Sequence, residues 1–489
     1  MEHMLRQCLI ALRLAERSGL DDQARAVVYY TALLIGVGCH SDAHEQAKWF
    51  GDDLSLKSGK FERGSGLRGA VSTLALLGSG KSPLHRLRVG LGFLVSGHRE
   101  LNGMIETHAK LAQTFARQLG LAESVVDAVG SSYEQWNGRG WPGRLQGLNV
   151  PVASRLAQLA EYVEVAHRIG GNDAAKALAR KQRGKQFDPT LVDLLCEHAT
   201  EIFTGLDSVP NWSAVIDAEP ALTIVLSEEQ FDSSLLAIAD FIDLKSPFTL
   251  GHSRAVTQLV DAAGTALGLP SGEVTTLRRA GLVLGLGRLG VSNSIWDKPG
   301  PLGAGERERV RMHPYLTERM LHQSVALAPL GAIAVQFRER LDGSGYPRGL
   351  SGGAISLPAR ILGAADAYHA MREPRPYRAA RSADEAAEAL RGEVRGKRLD
   401  GDAVEAVLGA AGHQTRPRRE GPAGLTTREV EVLQLLARGL SNKEIADRLL
   451  ITAKTAGNHI EHIYSKINAT NRASASLFAV QHGLLPELT

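Results

Sequence analysis

"QFRERLDGSGYPRGLSGGAISLPARILGAAD", residues 336–366, has a second copy in the same chain. Residues 131–161 read "SSYEQWNGRGWPGRLQGLNVPVASRLAQLAE". The offset is constant at 205, so Glu134 aligns with Glu339, Arg155 with Arg360 and Glu161 with Asp366. Two further blocks match in the same order. "RGKQFDP" (Arg183 to Pro189) mirrors "RGKRLDG" (Arg395 to Gly401), and "EHMLRQCLIALRLAERSGL" near the N-terminus mirrors "GHSRAVTQLVDAAGTALGL" from Gly251. His3 to Ile35 and His252 to Leu284 both span 32 residues. Ordered self-similarity of this kind marks a duplicated structural unit. The first copy carries about 44 extra residues between Ile35 and His108, among them the Gly/Ser-rich "KSGKFERGSGLRGA".

Outward from the duplication, apolar residues recur at helical spacing almost throughout and strand-like alternation is scarce, which predicts a mostly α protein. The expected organisation is a first repeat over 1–205, a connector over 206–230, a second repeat over 231–412, a linker over 413–423 and a distinct unit over 424–489. At 489 residues the chain exceeds what one core supports. Its 44% hydrophobic and 22% charged residues are those of an ordinary globular protein, and a net charge of +3 names no nucleic-acid or membrane partner by itself. Cys8, Cys39 and Cys196 form no paired spacing, which fits a reducing cytoplasm. No apolar run approaches the ~18 residues of a membrane helix. Glu2 and the helical periodicity that follows it argue against a signal peptide.

The last unit carries helix-start signals. Thr426 with Glu429, and Ser441 with Glu444, have capping-box spacing; Thr452 and Asn471 open two more helices, and Gly439 closes the first. Val430, Val432, Leu433, Leu436, Ile445, Ala446, Leu449, Ile460, Ile463 and Ile467 fall on inward faces. A short helix, a tight turn and a longer helix with polar outward positions make a helix-turn-helix layout. The unit resembles the LuxR/NarL-type DNA-binding domain through "LTTREVEVLQLLARGLSNKEIADRL", "AKTAGNHIEHIYSKI" and "NRASA". The resemblance implies a four-helix domain that binds double-stranded DNA, usually as a dimer held through its fourth helix. It places Asn442, Lys443, Lys454 and Thr455 on phosphates and Gly457, Asn458 and Glu461 toward base edges, with Thr452 and Lys466 in the same DNA-facing set. Residues 424–489 hold seven Arg/Lys and six Asp/Glu, so the head's own charge is low and dimerisation is needed for affinity.

The second repeat resembles the HD-GYP metal-dependent phosphohydrolases. The residues that carry this are "DGSGYP" (Asp342 to Pro347), "RILGAADAYHAM" (Arg360 to Met371), "RPYR" (Arg375 to Arg378) and "KPGPL" (Lys298 to Leu302). That family splits cyclic dinucleotides with two or three metals held by histidines and aspartates. Here "LVLGLGRLG" (Leu282 to Gly290) has Leu284 and Gly285 where the family has its His-Asp pair, and Phe337-Arg338 where it has His-His. The first repeat has Ile35-Gly36 and Ser132-Tyr133 at the same places. An aliphatic side chain offers no lone pair, so the expectation is that neither repeat is an enzyme, with no catalytic residue, no bound metal and no cofactor.

Retained polar residues and their apolar replacements then mark a possible small-molecule pocket. These are His3, Ile35, His108, Tyr133 and Glu161 in the first repeat and His252, Leu284, His313, Phe337 and Asp366 in the second. The arrangement reads either as a sensor for an unidentified effector or as a dimerisation scaffold. A third reading has one metal held by His252, His313 and Asp366. Arg139, Arg144, Arg348, Arg375 and Arg378, near the GYP-like turns, read either as a phosphate grip or as structural pairs. No receiver-domain pattern is visible. The reading as a whole is a cytoplasmic, homodimeric LuxR-type transcription regulator with a tandem HD-GYP-like region. The alternative is a metal-dependent cyclic dinucleotide phosphodiesterase with a rearranged metal centre.

Overall fold

The computed structural model describes residues 2–37, 98–206, 211–220, 225–415, 421–449 and 451–485. "KSGKFERGSGLRGA" and Cys39 lie outside them. Among the described residues there is no β-strand, only isolated bridges, so the fold is mostly α as expected. Two HD-GYP-like helical repeats precede a four-helix helix-turn-helix head. The contacts divide the chain into two compact units, residues 1–247 with 291–298, and residues 248–290 with 299–489.

The first unit opens with α1 (Glu2–Arg17) and α2 (Asp22–Leu34), continues with α3 (His98–Gln118) and α4 (Glu123–Gly130), and is built around α5 (Val152–Gln182) and α6 (Pro189–Phe203). Helices α7 (Asn211–Asp217), α8 (Glu228–Asp243) and α11 (Asn293–Trp296) complete it. Asp21 caps α2 by accepting the Ala24 amide at 2.8 Å. Ile10, Leu14, Leu156, Leu159, Leu195 and Phe187 are almost wholly buried where α1, α2, α5 and α6 meet. Each buried aliphatic of this size contributes roughly 1.5–3 kcal/mol.

The second unit contains α9 (His252–Ala266), α10 (Ser271–Val283), α12 (Ala304–Arg311), α13 (His313–Leu321), α14 (Ala328–Ala334), α15 (Leu357–Arg372), α16 (Ala383–Arg395) and α17 (Gly401–Ala410). Its centre is α15, whose residues 357–366 are all buried. A helix buried on every side must pair the charges it carries. Arg360 and Asp366 do so, and they position both features discussed below.

The head contributes α18 (Thr427–Ala437), α19 (Asn442–Leu449), α20 (Ala453–Lys466) and α21 (Arg472–Gln481). Every cap expected from the sequence is made. The Glu429 amide donates to Thr426 at 3.2 Å, the Glu444 amide to Ser441 at 3.3 Å, the Thr455 amide to Thr452 at 3.1 Å and the Ser474 amide to Asn471 at 2.9 Å. The core is Leu425, Val432, Leu433, Leu436, Ile445, Leu449, Ile460 and Ile463 with Ala475 and Ala479 of α21.

Candidate functional site

The two GYP-like turns are built alike. Glu339 is buried and accepts the backbone amides of Arg348 at 2.7 Å and Leu350 at 2.9 Å. Glu134 accepts those of Gly143 at 3.1 Å, Arg144 at 2.8 Å and Leu145 at 3.3 Å. Tyr346-Pro347 and Trp141-Pro142 are both cis. A Cβ on Gly345 would lie 2.4 Å from the Arg340 nitrogen, and one on Gly140 2.3 Å from the Gln135 nitrogen, so both turns exclude a side chain there. The carboxylates close the turns; they are not aimed at a ligand.

In the second repeat His252, Leu284, His313, Phe337 and Asp366 are all essentially buried. His252 is flanked by two carboxylates: Nε2 lies 3.2 Å from Asp366 Oδ1, and Nδ1 3.0 Å from Glu373 Oε2. His369 Nε2 is 3.2 Å from Glu373 Oε1. Arg338 Nη2 lies 2.8 Å from Asp366 Oδ2, Arg288 Nη2 3.8 Å from Asp366 Oδ1, and Arg375 Nη2 2.5 Å from Glu373. His313 stands beside Phe337, ring centroids 5.6 Å apart, with Nδ1 2.6 Å from the Val310 carbonyl.

The electrostatics follow from this packing. Burial alone would lower the His252 pKa, but its hydrogen bonds to Asp366 and Glu373 outweigh that and raise it. Burial pushes Asp366 up, yet the Arg338 charge and the His252 hydrogen bond hold it well below the usual carboxylate range. Glu373, against the same opposition from burial, is held at about 2 by His252 and His369. His313 is lowered to about 3 by burial, with Arg338 and Arg288 adding to the effect.

The first repeat brings fewer of its expected residues together. His3 pairs with Glu164, one helical turn beyond Glu161, and Arg6 and Arg168 approach the same carboxylate at 3.4 and 3.8 Å. His108 and Tyr133 stand with ring centroids 6.4 Å apart, and Ile35 is buried in the core. Of the arginines near the turns, Arg348 pairs with Glu318, Arg375 with Glu373, and Arg378 donates to the carbonyls of Met371 and Glu373.

A two-metal centre of the HD-GYP kind does not fit these residues. Leu284, Gly285 and Phe337 give no donor, and Asp366 faces two guanidiniums and the His252 ring where cations would stand. A single cation is compatible with another set. His252, His369 and Glu373 offer donor atoms within 4.8 Å of one another. Glu373 was missed in the sequence because it lies seven residues past Asp366, just beyond the end of α15; a helical-period scan carried one residue past the helix would have found it.

In the head, Asn442, Lys443, Thr452, Lys454, Asn458 and Glu461 are exposed, and Thr455 and Gly457 half-buried. Lys466 is tied within the head, its Nζ 2.7 Å from Glu429 and 3.1 Å from the Gly424 carbonyl.

Residues 237–403 match the HD domain family, and residues 423–479 match the bacterial regulatory proteins of the luxR family. The 3'3'-cGAMP-specific phosphodiesterase 3 of Vibrio cholerae is 32% identical over 391 residues, covering 79% of this chain and 85% of that protein. The chain belongs to the HD-domain family of cyclic dinucleotide phosphodiesterases. A cyclic di-GMP phosphodiesterase of Pseudomonas aeruginosa is 30% identical over half of this HD-domain chain and 58% of its own length. A crystal structure of a cyclic GMP-AMP-specific phosphodiesterase of V. cholerae superposes with a TM-score of 0.58 at 28% identity, over 84% of this chain and 93% of that one. This kinship corrects the expectation that the chain is not an enzyme. Its relatives over most of their length are phosphodiesterases, and loss of the His-Asp pair leaves His369 and Glu373 as further donors near Asp366. The luxR-type domain makes the chain a DNA-binding transcription regulator as well. Among the described residues no helix is long and apolar enough to cross a membrane.

Proposed function

We propose that this HD-domain regulator binds a cyclic dinucleotide in its second repeat and acts on DNA as a cytoplasmic homodimer. One observation carries the reading. Around Asp366 and Glu373 stand Arg288, Arg338 and Arg375, so guanidiniums outnumber carboxylates three to two, with His252 between the two carboxylates. A buried excess of positive charge suits a phosphodiester, and guanidiniums present paired donors to it. Dimerisation is supported by α21, where Leu477 and Val480, three residues apart, are 57% and 60% exposed. Calorimetry with 3'3'-cGAMP and cyclic di-GMP tests the binding. Arg338→Ala should weaken it tenfold or more, and unchanged affinity in that variant would sink the reading.

A second reading is favoured by the His252, His369 and Glu373 cluster. These residues would hold one divalent cation, and that ion would supply Lewis acidity toward the phosphodiester. Arg288 and Arg338 would keep the phosphodiester in place, and the buried walls of Leu284 and Phe337 would exclude bulk water. Metal content of the purified protein and release of linear dinucleotide are the measurements. Metal at background levels together with no product rejects it.

For the head, Lys454→Ala is expected to weaken binding to all sequences and lower the salt slope by about 1, while Asn458→Ala relaxes one base position by about 1–3 kcal/mol. Equal loss of specificity in both, read in gel shifts over a salt series, would contradict these assignments.

A further inference from the structure

Arg155 and Arg360 occupy the same place in the two repeats, and only one of them has a partner outside its repeat. Arg155 donates from Nε to the Val150 carbonyl at 2.9 Å and pairs through Nη1 with Asp188. Its guanidinium lies 5.8 Å from the Trp136 ring centroid. Arg360 repeats the pattern, donating from Nε to the Ile355 carbonyl at 2.9 Å and from Nη1 to Asp400 at 3.1 Å. Nη1 also meets Glu431, which belongs to α18 of the head, and Nη2 donates to the Gly352 carbonyl at 3.1 Å. On the other side of Glu431 stands Arg428, 3.0 Å away and itself bonded to the Leu449 carbonyl at 3.0 Å.

The seat is tight. The cavity left between Leu267, Leu357 and these charged groups is about 10 Å³, room for a single water. Helix α19 packs against the turn at Gly352–Ala354. In a helix-turn-helix this first helix is the one that crosses the DNA backbone. Beside the seat the second repeat presents Asp400 and Asp402, whose charge opposes a phosphate strand.

We propose that this surface is an inhibitory dock for the chain's own DNA-binding head, latched by Arg360 to Glu431, and that duplex DNA competes with it. The dock stands apart from whatever the second repeat binds. It uses the half of α15 that precedes Asp366, and the competition with DNA runs through α19 and not through the base-facing residues of α20, of which Asn458 and Glu461 stay exposed. Glu431 acts as a positioning residue: it touches no DNA and sets where the head rests.

The test is Glu431→Gln in the full chain. This keeps the side chain's size and leaves the Arg360–Asp400 pair inside the repeat. Two readouts are used, affinity for a duplex at fixed salt and hydrogen exchange of the Gly352–Ile355 amides. The variant should bind DNA about fivefold more tightly or better, the lower end of ordinary coupling between sites. In the wild type, adding DNA should speed exchange at Gly352–Ile355, a measurement that does not depend on the variant folding. Equal or weaker DNA binding by Glu431→Gln, or exchange at Gly352–Ile355 that DNA leaves unchanged, overturns the proposal.

Discussion

The two repeats share their frame and differ in their charges. In the first, one buried carboxylate, Glu164, serves His3, Arg6 and Arg168. In the second, two carboxylates are shared among His252, His369 and three arginines. The turn glutamates, the side-chain-free glycines and the Arg–Asp pair recur with the same partners in both. Duplication thus preserved the contacts that hold each repeat together and let the ionisable groups around the site drift separately.

The largest expected effect tests whether the two arginines are equivalent. Removing one partner of a buried pair costs about 3–5 kcal/mol, because the other charge stays behind. Arg155→Ala should fall in that range and Arg360→Ala at or above its upper end, since it strands Asp400 and also removes one of the two arginines on Glu431. Denaturant unfolding of each variant measures this, and equal losses would erase the asymmetry. The turn glutamates should behave alike. Glu134→Ala and Glu339→Ala each leave buried amides unpaired, at roughly 1–3 kcal/mol per group. A loss confined to one repeat would show that only one frame still supports its fold.

Ligand binding should separate the repeats instead. A cyclic dinucleotide at 100 times its Kd should stabilise the protein by about 2.7 kcal/mol. The resulting rise in Tm should fall by about half or more in Arg338→Ala and persist in full in His3→Ala. The reverse pattern would move the site to the first repeat.

Per pH unit the smallest effect is a pH dependence from His313. The unfolded chain takes up a proton near pH 6.5 that the folded His313 refuses until about pH 3. Its contribution is therefore present above 6.5 and lost as pH falls toward 3, with a slope of at most about 1.4 kcal/mol per pH unit. Glu373, held at about 2, adds to the acid loss only below its ordinary value of 4.5. His252 has the opposite sign, because its raised pKa makes its contribution fade as pH rises. Unfolding measured in chelator between pH 4.5 and 6.5 should flatten in His313→Asn, and an unchanged slope would contradict the assignment.

Much of this was legible in the sequence, because it is local. The constant offset of 205 located both GYP-like turns, and hydroxyl or amide residues three positions before their partners located every cap in the head. The heptad-like apolar positions of α18 and α20 were likewise readable from periodicity. The pairing of charges was not. His3 meets Glu164, one turn beyond Glu161, because the packing of α1 on α5 decides which turns of α5 it reaches. Asp366 takes Arg338 and Arg288 as partners because three separated segments converge on α15. The Arg360–Glu431 pair depends on how a head 71 residues further along is seated. None of these arrangements has a signature in residue spacing.

A Cβ at Gly287 would lie 1.9 Å from the carbonyl oxygen of His313, and the Gly287 amide donates to Thr317 at 2.8 Å. Segments 284–290 and 313–317 therefore behave as one inheritable block. A chimaera that imports either stretch from a relative without its counterpart would carry a mismatched seam, whereas exchanging both together should transplant cleanly.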